Sequence, residues 1–357
     1  TYGRFGPHFP HSPGAREPGS ERLMYVPFLD LLKKNGDADG YLRQATVQGL
    51  VNATQNPDDL FRFWGTVKNQ YDTPAVRLGL VLALRKLESA KLAEFLTDAD
   101  PKVALEAARA IHDERIEAAM PKLAELADKS GLPDFVAYRA LSANQKVGDK
   151  ASAARLAAFA ARPAEPDYLR VTAMKLLAQW AKPDRRDPIT GLTQSLPDRP
   201  ASDAVAAVEP LLTKLFAGSD AVRSEAVATV SKLGVPGVGP LMAGLVTDSA
   251  RPASVRAEAL LALAALKSPE YAAAAKSALD SAEPKLKAAA RLASATADPK
   301  AAAKSLPPLL ADAAVTPVEK QAILAALAKL PESKETDDAL AKWLDDAAAG
   351  SVPAELR

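Results

Sequence analysis

Residues 221–230 read AVRSEAVATV, and this short stretch decides the fold. Val222, Ala226, Val227 and Val230 stand at offsets of zero, four, five and eight. Those offsets return to one face of a helix and to neither face of a strand. The same pattern recurs as YLRQATVQGL at 41–50, AVRLGLVLAL at 75–84, KVALEAARAI at 102–111, YLRVTAMKLL at 168–177 and SVRAEALLAL at 254–263. Weaker copies begin near Phe135, Lys285 and Pro317. The aliphatic anchors are Leu42, Val76, Val103, Val136, Leu169, Val222, Val255, Leu286 and Val318, at separations of 34, 27, 33, 33, 53, 33, 31 and 32 residues.

A period near 33 leaves room for a second helix and two turns, which is the signature of stacked helical hairpins. The second helices are visible between the copies, as AAMPKLAELA at 118–127, AVEPLLTKLF at 207–216 and KSLPPLL at 304–310. Their prolines predict bending, because Pro removes a backbone donor and crowds the preceding turn. Seven residues after the anchor the side chain is usually small (Gly49, Ala83, Ala110, Ala262, Ala325), which lets helix axes approach. The pattern predicts an all-α chain: an α-solenoid, a right-handed superhelix of about nine to ten HEAT-like hairpins over residues 21–347.

An arginine follows the anchor at Arg43, Arg77, Arg170, Arg223 and Arg256, after the acids Asp39, Asp72, Asp167 and Asp220. These read as structural contacts between repeats. The Asp caps the helix start and the Arg pairs with the turn of the neighbouring repeat. A ladder of binding arginines is the other reading.

The array has two interruptions. The separation of 27 implies a shortened helix around residues 90–95. The separation of 53 contains an insert, KPDRRDPITGLTQSLPDRP at 182–200, rich in Pro, Asp and Arg and without helical period. A loop of that length inside a solenoid is expected to be an ordered functional or contact loop. Trp180, Arg185, Arg186, Asp187, Thr190 and Arg199 are its candidate partner-contact residues. Residues 1–20 form an irregular Gly/Pro-rich leader, TYGRFGPHFPHSPGAREPGS, with Phe5, His8, Phe9 and His11 as further contact candidates; residues 348–357 form a tail. Ten of the chain's nineteen aromatics lie before residue 72 and are expected to pack on the first repeats or on a neighbour.

Composition excludes several kinds of chemistry. The 357 residues contain no cysteine, which removes disulfides, thiolate metal sites, covalent haem and cysteine nucleophiles. A net charge of +1 supplies no overall basic surplus for nucleic acid. No apolar run reaches the ~18–20 residues needed to span a bilayer. Residues 1–20 lack the apolar core of a signal peptide, and the chain has no initiator Met, so a processed product or a piece of a longer protein is expected.

Chemistry-bearing motifs are few. His8 and His11 are three apart on an irregular stretch with no further His or Cys to complete a metal site, and they read as surface or packing groups. His112 reads as a residue that hydrogen-bonds a helix end. NGDADG at 35–40 begins like a calcium loop, but Thr46 stands where the loop needs Glu. GVPGVGPLMAG from Gly234 follows a helix rather than a strand, with Pro240 in the third glycine slot, and is not a phosphate loop. Catalytic, cofactor and metal residues are therefore expected to be absent from this chain.

The segment from about Tyr41 to Pro200 resembles the HEAT-repeat portion of large multidomain proteins of planctomycetes and verrucomicrobia. The stretches that carry the resemblance are YLRQATVQGL, LEAARAIHDERIEAAMPKLAEL and, most specifically, WAKPDRRDPITGLTQSLPDRP after YLRVTAMKLLAQ. In that family a sorbosone/glucose-dehydrogenase-like β-propeller precedes the repeats and a c-type cytochrome domain follows them. The resemblance implies a periplasmic or envelope location and a scaffold between a redox propeller and an electron acceptor. This chain has neither the propeller nor a CxxCH haem motif, so no catalytic or haem residue carries over. A non-catalytic protein-binding scaffold is the leading expectation, and a stand-alone protein-binding solenoid stands close to it. The enzymatic alternative is a HEAT-fold enzyme of the bilin-lyase kind. The deoxyhypusine-hydroxylase kind needs His-Glu metal pairs, and the DNA-glycosylase kind needs a basic, aromatic-lined face; the sequence shows neither.

Overall fold

A computed structural model describes residues 20–331 and 333–352. The described residues are all-helical, with nineteen α-helices, short 3₁₀ segments and no strands. The described residues fall into two compact units, divided after Leu123.

The first unit holds α1 (Ser20–Asn35), α2 (Gly40–Ala53), α3 (Pro57–Tyr71), α4 (Pro74–Lys86), a 3₁₀ segment Ala90–Phe95 and α5 (Pro101–Asp113). They pair in order: α1 with α2, α3 with α4, the 3₁₀ segment with α5. α2, α4 and α5 also pack in series. The separation of 27 is explained by the 3₁₀ segment, a helix cut to six residues. The aromatics interlock in this unit's core: Tyr25 lies 5.4 Å from Phe63, and Trp64 lies 5.5 Å from Phe95, between ring centroids. Tyr41 is an exception and is fully exposed.

The chain crosses into the second unit within α6 (Met120–Glu125). That unit continues with a 3₁₀ turn Leu126–Asp128, α7 (Asp134–Val147), α8 (Lys150–Ala160), α9 (Asp167–Ala178), α10 (Ala201–Val208), α11 (Leu212–Phe216) and α12 (Asp220–Leu233). Beyond these come α13 (Gly239–Thr247), α14 (Ala253–Ala265), α15 (Tyr271–Leu279), α16 (Pro284–Ala297), α17 (Pro299–Ser305), α18 (Pro317–Leu327) and α19 (Lys334–Ala348). One row of helices runs α7, α9, α12, α14, α16, α18, each packed on the next; a second row covers it, with α8 on α10, α13 on α15 and α17 on α19. The second row is where prolines break helices. Pro210 sits in the 3₁₀ turn Glu209–Leu211 between α10 and α11, and Pro307 opens a 3₁₀ turn after α17.

The recurrent anchor has a fixed place in these helices. It is the third helical residue, three after the N-cap: Asp39 for Leu42, Thr73 for Val76, Asp100 for Val103, Pro133 for Val136, Pro166 for Leu169, Ser219 for Val222, Pro252 for Val255 and Glu283 for Leu286. From Val76 to Leu286 every anchor is at most 3% exposed. In α18 the sequence reading is one residue off. Thr316 is the N-cap, so Glu319 occupies the buried third place, 4% exposed, and Val318 points out at 42%. A charged side chain is tolerated there because it closes a capping box, its carboxylate accepting from the Thr316 backbone and hydroxyl at 3.2 and 3.0 Å.

The arginine beside the anchor also has a different partner from the one expected. Arg170, Arg223 and Arg256 are 3%, 3% and 8% exposed, and each turns back onto the helix that precedes it in its own hairpin. The Nε of Arg170 donates to the Ala160 carbonyl at 2.8 Å, that of Arg223 to Phe216 at 2.8 Å, and that of Arg256 to Val246 at 2.9 Å. Those carbonyls lie in the last turn of a helix, where the chain has no donor left to offer them and where the dipole favours a cation. Arg43 pairs with Asp37 in its own preceding turn. Arg77 holds Asp72, five residues before it, at 2.7 Å and, alone of the five, also reaches forward, through two nitrogens, to Asp98 at 2.8 and 3.1 Å. The acids divide as well: Asp39 caps α2, whereas Asp72, Asp167 and Asp220 serve the arginines.

Replacing Arg223 with Met keeps the length of the stem and removes its bonds to Phe216, Gly218 and Asp220. The expected cost is about 2–3 kcal/mol, read as a fall in the urea midpoint. The same change at Arg62, whose side chain is 65% exposed, should cost under about 0.5 kcal/mol.

Candidate functional site

Among the described residues of the second unit, the insert between α9 and α10 is the one long stretch outside a helix, and it is built rather than slack. Its base closes where the Arg199 N–H donates to the Ala181 carbonyl at 3.0 Å. Its middle is a small hairpin: Gln194 N–H donates to the Arg185 carbonyl at 2.8 Å, Asp187 N–H to Leu192 at 2.9 Å, and Arg186 and Thr193 form an antiparallel bridge. The turn needs a positive φ, and Gly191 supplies it at +69°.

Asp187 organises the turn from inside. Its carboxylate accepts the Ile189 and Thr190 N–H groups, both at 2.9 Å, and pairs with Lys146 of α7. Lys146 donates in addition to Gln194 Oε1 at 3.1 Å, and Gln194 Nε2 donates to the Asp184 carbonyl at 3.1 Å. The two charged side chains are 9% and 2% exposed. A pair buried to that degree contributes little net stability, because desolvation offsets the attraction, but removing one partner strands the other charge. The ion pair therefore fixes where the insert docks.

A second contact holds the base. Trp180 is fully buried, and the Arg199 guanidinium lies over its ring with Cζ 4.4 Å from the centroid. The guanidinium also lies against Gly148, the left-handed cap of α7 at φ +70°, where an added Cβ would come within 2.5 Å of Nη1. Nε, Nη1 and Nη2 of Arg199 and Nε1 of Trp180 are buried and have no hydrogen-bond partner among the described residues. Desolvation accordingly pulls the Arg199 guanidinium below its ordinary pKa.

These positions divide the contact candidates. Trp180 and Asp187 are turned into the protein and hold the insert; they are not available to a partner. Arg199 is folded onto Trp180 and belongs with them. Arg185 and Arg186 are exposed, and neither forms an ion pair among the described residues. Thr190 is half-buried, its hydroxyl accepting the Leu192 N–H at 3.3 Å. Phe5, His8, Phe9 and His11 lie outside the described residues. Lys146, Gln194 and Leu192 take part without being singled out by the sequence. Lys146 is 41 residues from Asp187, with no local signal to join them. Leu192, which pairs with Asp187 across the hairpin, is 60% exposed.

Elsewhere in the second unit an aromatic ledge stands at the starts of α7 and α9. Phe135 and Tyr168 are 66% and 46% exposed, and Tyr138 stacks on Tyr168 at 6.1 Å. The hydrogen bond to Asp134 pushes the Tyr168 hydroxyl up to about 12. In the first unit, His112 is buried and its Nδ1 pairs with Asp113 at 2.9 Å. Asp37 and Asp39 of the calcium-like stretch are engaged by Arg43 and Lys102 and by the start of α2. Among the described residues no three His, Cys, Asp or Glu side chains gather as a metal site would require, and no helix is long and apolar enough to cross a membrane. Comparison of the sequence with protein-family models finds no match, and neither does comparison with curated proteins.

Asp187→Asn is expected to undock the insert. The chain after Arg185 and Arg186 should then be cut by trypsin far faster than in the native protein, and amides 184–194 should lose hydrogen-exchange protection by about 3–5 kcal/mol. The double change Lys146→Met with Asp187→Leu should recover a large part of the lost stability, since no charge is left stranded.

Trp180→Ala should cost about 3–5 kcal/mol. Arg199→Met should cost much less or stabilise, because it removes a desolvated cation that has only a ring face for a partner. Thermal unfolding of the two variants side by side checks both.

Proposed function

We propose that the chain is a non-catalytic α-solenoid scaffold of the HEAT type that holds another protein through its insert. The repeat of one hairpin at a period near 33, with the same third-position anchor and the same two-row packing in the second unit, supports the solenoid. The observation that carries the binding role is the insert itself. A hairpin locked from below by a buried ion pair presents Arg185, Arg186 and Leu192 outward, with both guanidinium groups free of counter-charges among the described residues. Most other arginines among the described residues are spent on carboxylates or helix ends. Prior ordering of the loop lowers the entropy cost of using it as a contact.

The resemblance over residues 41–200 supplies the setting for this role: an envelope redox assembly in which a β-propeller dehydrogenase and a c-type cytochrome are the partners, and the chain itself carries no cofactor. Any dehydrogenase activity then belongs to the attached parts.

Photo-crosslinking from position 186 in the native cell tests the reading. The expected adduct is one defined polypeptide, a propeller or haem protein, and it should be lost in an Arg185→Ala/Leu192→Ala background in which helix content is unchanged. Adducts scattered over unrelated proteins, or none in the presence of abundant folded chain, would overturn it.

A further inference from the structure

α12 and α14 pack side by side in the second unit, and the small side chains of Ala228 and Ala265 leave a groove of about 480 Å3 between them. Its volume lies in the range of pockets that take a ligand. Val227, Leu261 and Ala262 give it an apolar lining. One end is set by two carboxylates, Glu225 from α12 and Glu258 from α14. Neither forms an ion pair among the described residues; Glu258 accepts the Ser224 hydroxyl. Lys232 lines the groove two turns further along α12, about 10 Å from Glu225 by the helical rise.

The groove is thus polarised, acidic at one end and basic at the other, with an apolar stretch between. Burial pushes the half-buried Glu225 carboxyl above the usual range and the charge of Glu258 adds to that, against the pull of Lys175 on α9, of Lys232 and of the nearby Thr229 hydroxyl. A cation placed between the two carboxylates would relieve both the desolvation and the mutual repulsion. The methylene stem of a lysine or arginine is suited to lie along a floor of alanine and leucine while its head reaches an acidic rim.

We propose that this groove binds a segment of a partner protein, seating one arginine or lysine side chain against Glu225 and Glu258 and an acidic group of the same segment at Lys232. The surface is separate from the insert, and the inference does not rest on the insert's role.

Panning a phage-displayed library of random peptides on the full chain tests it. Enriched peptides should carry a basic residue with an acidic one a few positions away. Their affinity should fall roughly tenfold or more in Glu225→Gln/Glu258→Gln, and likewise in Ala265→Trp, which fills the groove from an exposed position. Lys232→Ala should weaken binding less. Glu225→Gln should fold normally, because burial already disfavours the charge it removes; far-UV circular dichroism and the thermal midpoint check this. Arg185→Ala/Arg186→Ala should leave peptide binding unchanged, so a failure of the insert reading is told apart from a failure here. A selection without basic peptides, or peptides that bind the double glutamine variant as well as the native chain, would overturn the proposal.

Discussion

A helix that ends inside a packed row leaves its last carbonyls facing protein rather than water, and something must donate to them. In the second unit the donor is the guanidinium of Arg170, Arg223 or Arg256, carried by the next helix and turned back. The arrangement joins two elements with one side chain. The arginine sits directly after the third helical residue, whose aliphatic side chain enters the core, so the same turn of helix buries apolar surface and closes the end of its predecessor. In the three hairpins that carry this arginine, that turn ties the end of one helix to the start of the next. Where it changes, the local structure changes too: at α18 the buried place passes to Glu319, and a capping box replaces the aliphatic contact.

The insert shows a different economy. A helical row can absorb about twenty extra residues only if they return to the same place, because α10 must still meet α8. Return is secured twice, by Arg199 over Trp180 at the base and by Lys146 on Asp187 at the turn. Both contacts use charge in a desolvated setting, which gives a specific position at modest net stability. The result is a fixed hairpin whose outer side is free to be used. The groove between α12 and α14 arises from the opposite choice, small residues on a regular surface, and offers a shallow cleft with a charge at each end.

Much of the local structure was legible. Helix starts could be read from Asp, Ser, Thr and Pro placed three residues before an aliphatic anchor, because capping and burial are set by residues a turn apart. The shortened helix at 90–95 could be read from spacing alone. The register at Val318 could not, since Val and Glu next to each other offer two phases, and only the Thr316–Glu319 capping bonds choose between them. The arginine partners could not be read either. Sequence spacing shows that an arginine is available, but a carbonyl at the end of a helix has no side-chain signature, whereas an aspartate in the next turn does.

The sequence by itself determined that the chain is helical, where the anchors lie and where repetition stops, because those depend on periodicity within one helix. Only the tertiary structure decided what the insert does with its residues. Of the six contact candidates there, Trp180, Asp187 and Arg199 turn inward and Arg185 and Arg186 turn out. The reason is that the selecting partners, Gly148 and Lys146 on α7, lie about forty residues or more away in the chain. A loop without helical period carries no internal signal of which face will be covered; the covering helix supplies it.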